Sequence, residues 1–243
     1  MNRRPAIAIG VALTVSALLA SSAAPGAVPA ITASAPTSRS ASVARIVVGA
    51  PALSAPGRGR VVERLPTSAG SNGGPVALLV VGSRVVHATV WLRVLLPRRP
   101  NGTSAWVDSN YVEIRRTPWR IDISLEARSV RLLRGGRVVE RWRAVVGKPS
   151  TPTPRGLFAV YQRVRQPDPN GFLGTWAVLL TAFSPVLRAF DGGPGQVAIH
   201  GRGGASLLDP LGSARSHGCI RIDNGAIDVL ARDAAAGTPV RIS

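Results

Sequence analysis

The sequence predicts a mainly β protein with one helix close to its C-terminal end. Three observations predict it. From Val76 onward, short runs of Val, Leu, Ile, Trp and Thr recur between Gly, Pro and Asn turn signals, as strands do. Beyond Trp119 the runs lengthen, and Ile121, Ile123 and Leu125 alternate with polar residues, the period of a half-buried strand. Only the stretch from Gly225 to Ala236 carries a helical apolar stripe, on Ile227, Leu230, Ala231 and Ala234.

The elements follow in order. Residues 1–30 have the layout of a secretory leader: Arg3 and Arg4, an apolar run from Ala6 to Ala20, then small residues through Ala24. The run is short for a stable membrane span. It is therefore expected to be cleaved, near Ala24 or Ala30, or retained as an anchor, the one route to membrane contact. Export places the protein in a bacterial cell wall, the periplasmic space or outside the cell. Residues 31–45 are mostly Ala, Ser, Thr and Pro and read as a flexible linker that builds no core.

Residues 46–117 read as a small β domain. Val76–Val81, Arg84–Val86, Val90–Leu96, Ser104–Val107 and Asn110–Ile114 are its strands, and Pro100-Asn101-Gly102-Thr103 is a hairpin turn. Several short strands in so small a unit predict a barrel. Asn101-Gly102-Thr103 is also formally a glycosylation sequon, but the hairpin explains it better. His87, among Val85, Val86 and Ala88, reads as structural. With no cysteine or second histidine nearby, it is not a metal ligand.

Residues 118–243 form the second domain. Ser129–Leu133 and Val138–Trp142 bracket a hairpin at Arg134–Arg137, and a Pro-rich loop spans Val145–Gly156. Leu157–Val164, Trp176–Thr181 and Val197–His200 are further strands. Asp223 or Asn224 caps the helix and Gly237 stops it. Tyr161 and Trp176 read as aromatic core.

Charge narrows the partners. The 243 residues carry 30 basic and 12 acidic side chains, a net charge of +18. Lys148 is the sole lysine, and the arginines are scattered, not clustered. Without a helix-turn-helix, a zinc finger or interleaved basic and aromatic residues, and with export expected, nucleic acid is excluded as a partner. The charge fits attraction to an anionic wall or membrane surface, or a merely solvated basic surface.

The chemistry converges on Ser216-His217-Gly218-Cys219, with His200-Gly201 upstream. Cys219 is the single cysteine. An exported thiol without a partner is exposed to oxidation, so retention argues for use. A thiol attacks as thiolate, and an adjacent imidazole is the usual means of making one. His217, two residues before it, would share its side on an extended chain. His200, at a strand end, could approach across the sheet. Gly218 would let backbone N–H groups face an oxyanion. Arg221, of the same parity as Cys219, offers a fork of donors to a carboxylate or remains a surface charge.

Two resemblances add to this reading. Trp91-Leu92-Arg93-Val94-Leu95-Leu96-Pro97, then Arg99-Pro100-Asn101-Gly102 and Ala105-Trp106-Val107, is similar to the end of a bacterial SH3-like domain. His200-Gly201, a spacer from Arg202 to Arg215, and Ser216-His217-Gly218-Cys219-Ile220-Arg221 resembles the signature of L,D-transpeptidases, the YkuD-type catalytic domain. The loop from Val146 to Phe158 is similar to that family's Gly-x-Pro-x-x-Pro-Thr-Pro-x-Gly-x-Phe segment. The resemblance implies an SH3-like barrel followed by a β-sandwich-like catalytic domain with one C-terminal helix. It implies that Cys219 attacks a peptidoglycan tetrapeptide stem, expels D-alanine and passes the acyl group to an acceptor amine in a 3→3 cross-link. By the same resemblance His200 is the main base and His217 its support. Ser216, Gly218, Gly201 and Arg221 are implied oxyanion or substrate-binding positions. Donor and acceptor stem peptides are the implied partners, carbapenem-type β-lactams the implied acylating inhibitors, and no metal or organic cofactor is needed. Water in place of the amine would make the same site an L,D-carboxypeptidase or endopeptidase. A non-catalytic wall-binding protein is the reading from another class.

Overall fold

The computed structural model describes Met1 and residues 33–70, 74–189 and 192–243. The expected leader beyond Met1, and the start of the linker, lie outside the described residues. Among the described residues, nine strands precede residue 118: β1 Ala41–Ile46, β2 Ala50–Ala55, β3 Arg58–Leu65, β4 Ser68–Ala69, β5 Gly74–Pro75, β6 Ala77–Val86, β7 Thr89–Leu95, β8 Ser104–Asp108 and β9 Val112–Thr117. Seven form one sheet in the order β3-β2-β8-β7-β6-β1-β9, while β4 and β5 pair with each other. Ile46, Leu78, Leu92, Val94, Leu96 and Val107 lie in its core.

The linker reading fails over residues 41–45. They belong to β1, an inner strand with β6 on one side and β9 on the other. Ala41, Val43 and Ala44 are small because β1 is tightly packed: a Cβ on Gly237 would lie 2.3 Å from Val43 Cγ1. Ladder hydrogen bonds need no large side chain. Val76–Val81 and Arg84–Val86 are not two strands but the single β6, with a register shift between Val80 and Gly82. His87 is exposed at the β6–β7 hairpin turn, with φ of 50°, so the side chain has no structural burial.

The second region holds β10 Trp119–Ser124, β11 Ser129–Arg134, β12 Arg137–Arg143, β13 Val146–Gly147, β14 Gly156–Arg165, β15 Trp176–Phe183, β16 Gln196–His200, β17 Ala214–Ser216, β18 Ile220–Arg221, α1 Asn224–Asp233 and β19 Pro239–Ile242. The sandwich-like domain takes the form of one continuous eight-stranded sheet, β12-β11-β10-β19-β14-β15-β16-β18. Alternation explains its core. Ile121 and Ile123, Val130 and Leu132, Val178 and Leu180, and Ile199 each present one strand face to a common cluster. Helix α1 closes that cluster with Ile227, Leu230 and Ala231. Asp223 is its N-cap, and it ends at Asp233, short of the expected Ala236. The chain turns early because the Gly237 N–H donates to Val160 O at 2.8 Å on β14, starting the approach of β19.

Residues 33 to 243 belong to one compact unit. Tyr161 packs on the N-terminal core and Trp176 on the C-terminal one, as their apolar rings require. The β7–β8 connection, closed by Leu96 N–H to Thr103 O at 2.9 Å, presents Arg99 and Asn101 toward the second sheet.

Candidate active site

The parallel pairing of β16 with β18 builds the site. Ile199 lies beside Ile220, and His200 beside Arg221. Both isoleucines are fully buried in the core. Side chains alternate along a strand, so Ala198 and His200 on one chain, and Cys219 and Arg221 on the other, share the opposite face. All four line one cleft of about 310 Å³. Phe172, Leu173, Leu179, Leu187 and Val197 give it an apolar lining.

Between β17 and β18 the chain bends to present Cys219. Gly218 has φ of 116°, a conformation that L side chains rarely adopt, and this is the local reason for a glycine before the thiol. The same bend removes the parity expected between His217 and Cys219: the segment is not extended there. Ser216 holds the bend from inside. Its hydroxyl donates to Cys219 O at 2.5 Å and accepts the Gly218 N–H at 3.1 Å. The Gly218 N–H expected to face an oxyanion is thus already bonded. The Pro-rich loop holds the bend from outside. Thr153 Oγ1 donates to Gly218 O at 2.8 Å, Thr151 Oγ1 to Ser216 O at 3.2 Å, and the Lys148 N–H to Ser216 O at 3.0 Å.

His200 is 1% exposed. Burial, with a smaller contribution from the positive charge of Arg221, holds its pKa down at about 4 against the carbonyls of Gly201 and Leu173, which pull the other way. It is therefore neutral at neutral pH. With Nδ1–H donating to Gly201 O at 2.8 Å, Nε2 carries the basic lone pair. Cys219 retains partial exposure, yet desolvation of the sulfur pushes its thiol pKa up, against the Ala198 backbone and the Arg221 charge, which lower it. The resting pair is thiol and imidazole, not thiolate and imidazolium.

Arg221 is 4% exposed, and one terminal nitrogen pairs with Asp209 Oδ2 at 2.6 Å. Its guanidinium stacks over Phe172, 4.7 Å from the ring centroid, and Phe172 in turn lies 6.0 Å from the His200 ring. Asp209 sits in the spacer between the two histidines. Arg202 fastens that spacer, donating to Leu207 O at 3.2 Å and Asp209 O at 2.7 Å. Asn224 secures the base of the site: Oδ1 accepts the Arg202 N–H at 2.9 Å and the Thr175 N–H at 3.3 Å. Gly201 is required by this contact, because a Cβ there would lie 2.2 Å from Asn224 Oδ1.

The structure brings Cys219, His200, His217, Gly218 and Arg221 to one cleft. His217 stands exposed at the mouth, its Nε2 3.4 Å from Lys148 Nζ. Ser216 and Gly201 shape the site from behind the cleft wall. Sequence reasoning left Asp209, Thr151, Thr153 and Asn224 without a site role. Asp209 had one usable signal, an acidic side chain between two basic candidates. The threonines had only their place in the Pro-rich loop.

The profile of the YkuD family, L,D-transpeptidase catalytic domain, matches residues 118–242. Two Bacillus proteins, each with the provisional name L,D-transpeptidase YkuD, align over 126 residues, or 52% of this chain. The Bacillus licheniformis protein is 35% identical and that of Bacillus subtilis 30%. The chain spans 66% of the length of each of these curated relatives. Among solved structures, an L,D-transpeptidase from Xylanimonas cellulosilytica is 27% identical with a TM-score of 0.37, covering 52% of this chain and 61% of that one.

Proposed function

The chain belongs to the YkuD family of L,D-transpeptidase catalytic domains, and from that premise we propose that it is a peptidoglycan L,D-transpeptidase with Cys219 as nucleophile. One observation carries the reading: a thiol, a buried neutral imidazole and a guanidinium share one strand face around one cleft. As Cys219 Sγ attacks the carbonyl between the diamino acid and D-alanine of a tetrapeptide stem, His200 Nε2 takes the thiol proton. The imidazolium formed has the Gly201 and Leu173 carbonyls as acceptors. The oxyanion is held by the backbone N–H of Cys219, the Gly218 N–H being bonded to Ser216 Oγ. His200 returns the proton to the departing D-alanine amine, leaving a thioester. An acceptor amine attacks it, His200 takes the amine proton, the thiol is restored and the 3→3 cross-link forms.

Arg221 braces the spacer through Asp209 and turns its positive field on the thiol, which favours the developing thiolate. Carbapenem-type β-lactams acylate the same sulfur. The N-terminal sheet is the SH3-like module of this reading, a brace for the catalytic region. The leader pattern from Arg3 to Ala24 supports a reaction outside the cytoplasm. The test is a purified tetrapeptide disaccharide. Wild type is expected to release D-alanine and form a dimer, and Cys219→Ala to do neither. Release without a dimer, at high acceptor concentration, would replace the amine by water and make the protein a carboxypeptidase. No release at all would sink the reading.

A further inference from the structure

One wall of the cleft is the connection between β15 and β16, which contributes Ser184, Leu187, Gly193, Pro194 and Gly195. The sheet opens to admit it: β15 pairs Leu179 with Ala198, then shifts register and pairs Phe183 with Gln196. Within the loop, Ser184 N–H donates to Gly195 O at 2.8 Å, and Ser184 Oγ accepts the Leu187 N–H at 3.0 Å. Further bonds come from the N-terminal sheet. Asn101 on the β7–β8 connection pairs with the backbone of Phe183 in both directions, Nδ2 to Phe183 O and Phe183 N–H to Oδ1, each at 2.8 Å. Arg99 gathers three loop carbonyls. Nη1 donates to Ser184 O at 2.6 Å, and Nη2 to Leu187 O at 2.8 Å and Pro194 O at 3.1 Å. The guanidinium also lies over the Phe183 ring, 5.0 Å from its centroid. Beside it, Arg98 donates to Val62 O and pairs with Glu63 at 3.1 Å, so the hairpin tip is tied to β3 as well.

A planar, permanently charged fork can satisfy three carbonyls of an irregular loop at once, which a lysine cannot do. Loops without ladder partners open locally with little cost unless such bonds hold them. We propose that Arg99 and Asn101 are positioning residues, through which the N-terminal sheet sets the wall of the catalytic cleft and hence the affinity for the acylating substrate. The choice of that substrate rests on the function proposed above; the holding of the wall does not. Neither residue reaches the thiol, so the intrinsic reactivity of Cys219 is independent of both.

The experiment compares full-chain wild type, Asn101→Ala and Arg99→Gln in three assays: amide hydrogen exchange of the Phe183–Gly195 segment, Cys219 alkylation by iodoacetamide, and acylation by meropenem. In each variant the segment is expected to exchange roughly tenfold faster, as for the loss of one or two hydrogen bonds. Exchange in β10 and β11 stays unchanged, and alkylation stays within about twofold. Acylation weakens roughly tenfold, in half-saturating concentration and not in limiting rate, as loss of ground-state binding requires. Unchanged exchange in the segment overturns the proposal. So does a loosened segment with unchanged acylation. If meropenem fails to acylate wild type, the proposed function falls, and exchange alone decides whether these residues hold the wall. Should Arg99→Gln lose the wild-type melting transition, Asn101→Ala decides, since it removes only a neutral amide.

Discussion

Asp209→Asn separates the two effects of the buried ion pair at the site. The substitution keeps size and one acceptor oxygen but removes the negative charge facing a guanidinium that is 4% exposed. Breaking a buried pair by removing one partner costs about 3–5 kcal/mol. The Asp209 side chain is 24% exposed, so its own desolvation is partial and the cost falls to the bottom of that range or below, about 2–3 kcal/mol. Arg221 Nε has no partner among the described residues, so the guanidinium has little to fall back on beyond Phe172. The same change has the opposite effect on the thiol. Arg221 already lowers the Cys219 pKa, and without Asp209 its field is no longer offset. Charges several ångströms apart at an effective dielectric near 20 interact by on the order of 1–3 kcal/mol, which gives roughly a tenfold increase in alkylation at pH 7. Urea unfolding and iodoacetamide kinetics read the two effects separately. The expected result is a protein that is less stable and whose thiol is more reactive. A variant of wild-type stability, or a thiol slower than wild type, would refute this account of Arg221.

His200 gives a prediction in pH. Its folded pKa of about 4 lies below its ordinary 6.5, so the unfolded chain binds the proton more readily and stability falls with falling pH in that window. The contribution, roughly 3 kcal/mol, is complete above pH 6.5 and lost as pH falls through 4. His200→Gln should show that much less acid sensitivity between pH 6.5 and 4 in urea titrations, and equal slopes would contradict the buried neutral imidazole. Gly201→Ala places a methyl 2.2 Å from Asn224 Oδ1 and 3.1 Å from Ile227 Cγ2. Overpacking of this kind costs about 1–3 kcal/mol, and a drop in melting temperature without loss of Cys219 itself is the expected readout.

The sequence made the active face legible because the chemistry rides on a strand pattern. Ile199 and Ile220 mark the core side, so the parity of His200, Cys219 and Arg221 could be read directly. The bend at Gly218 broke that logic for His217, since one residue with positive φ resets the alternation. What escaped was carried by contacts distant in sequence. Asp209 pairs with Arg221 only because Arg202 ties the spacer down, and Asn224, which the sequence offers beside Asp223 as a helix cap, bridges Thr175 and Arg202 while Asp223 caps. The small residues of β1 resembled linker until Val43 met Gly237. A fragment beginning at residue 46 would remove that strand from between β6 and β9. Asn101 was legible as a turn residue, but its bonds to Phe183 depend on a sheet 82 residues away.

The central claim is a nucleophilic thiol at Cys219 served by His200. Its most direct test is the intact mass of the full chain after exposure to meropenem, for wild type, Cys219→Ala and His200→Gln. The account predicts one covalent adduct on wild type, none on Cys219→Ala, and acylation of His200→Gln slowed by at least about a hundredfold, the usual contribution of a general base. No adduct on a folded, reduced wild-type protein would contradict it, as would an adduct that survives Cys219→Ala.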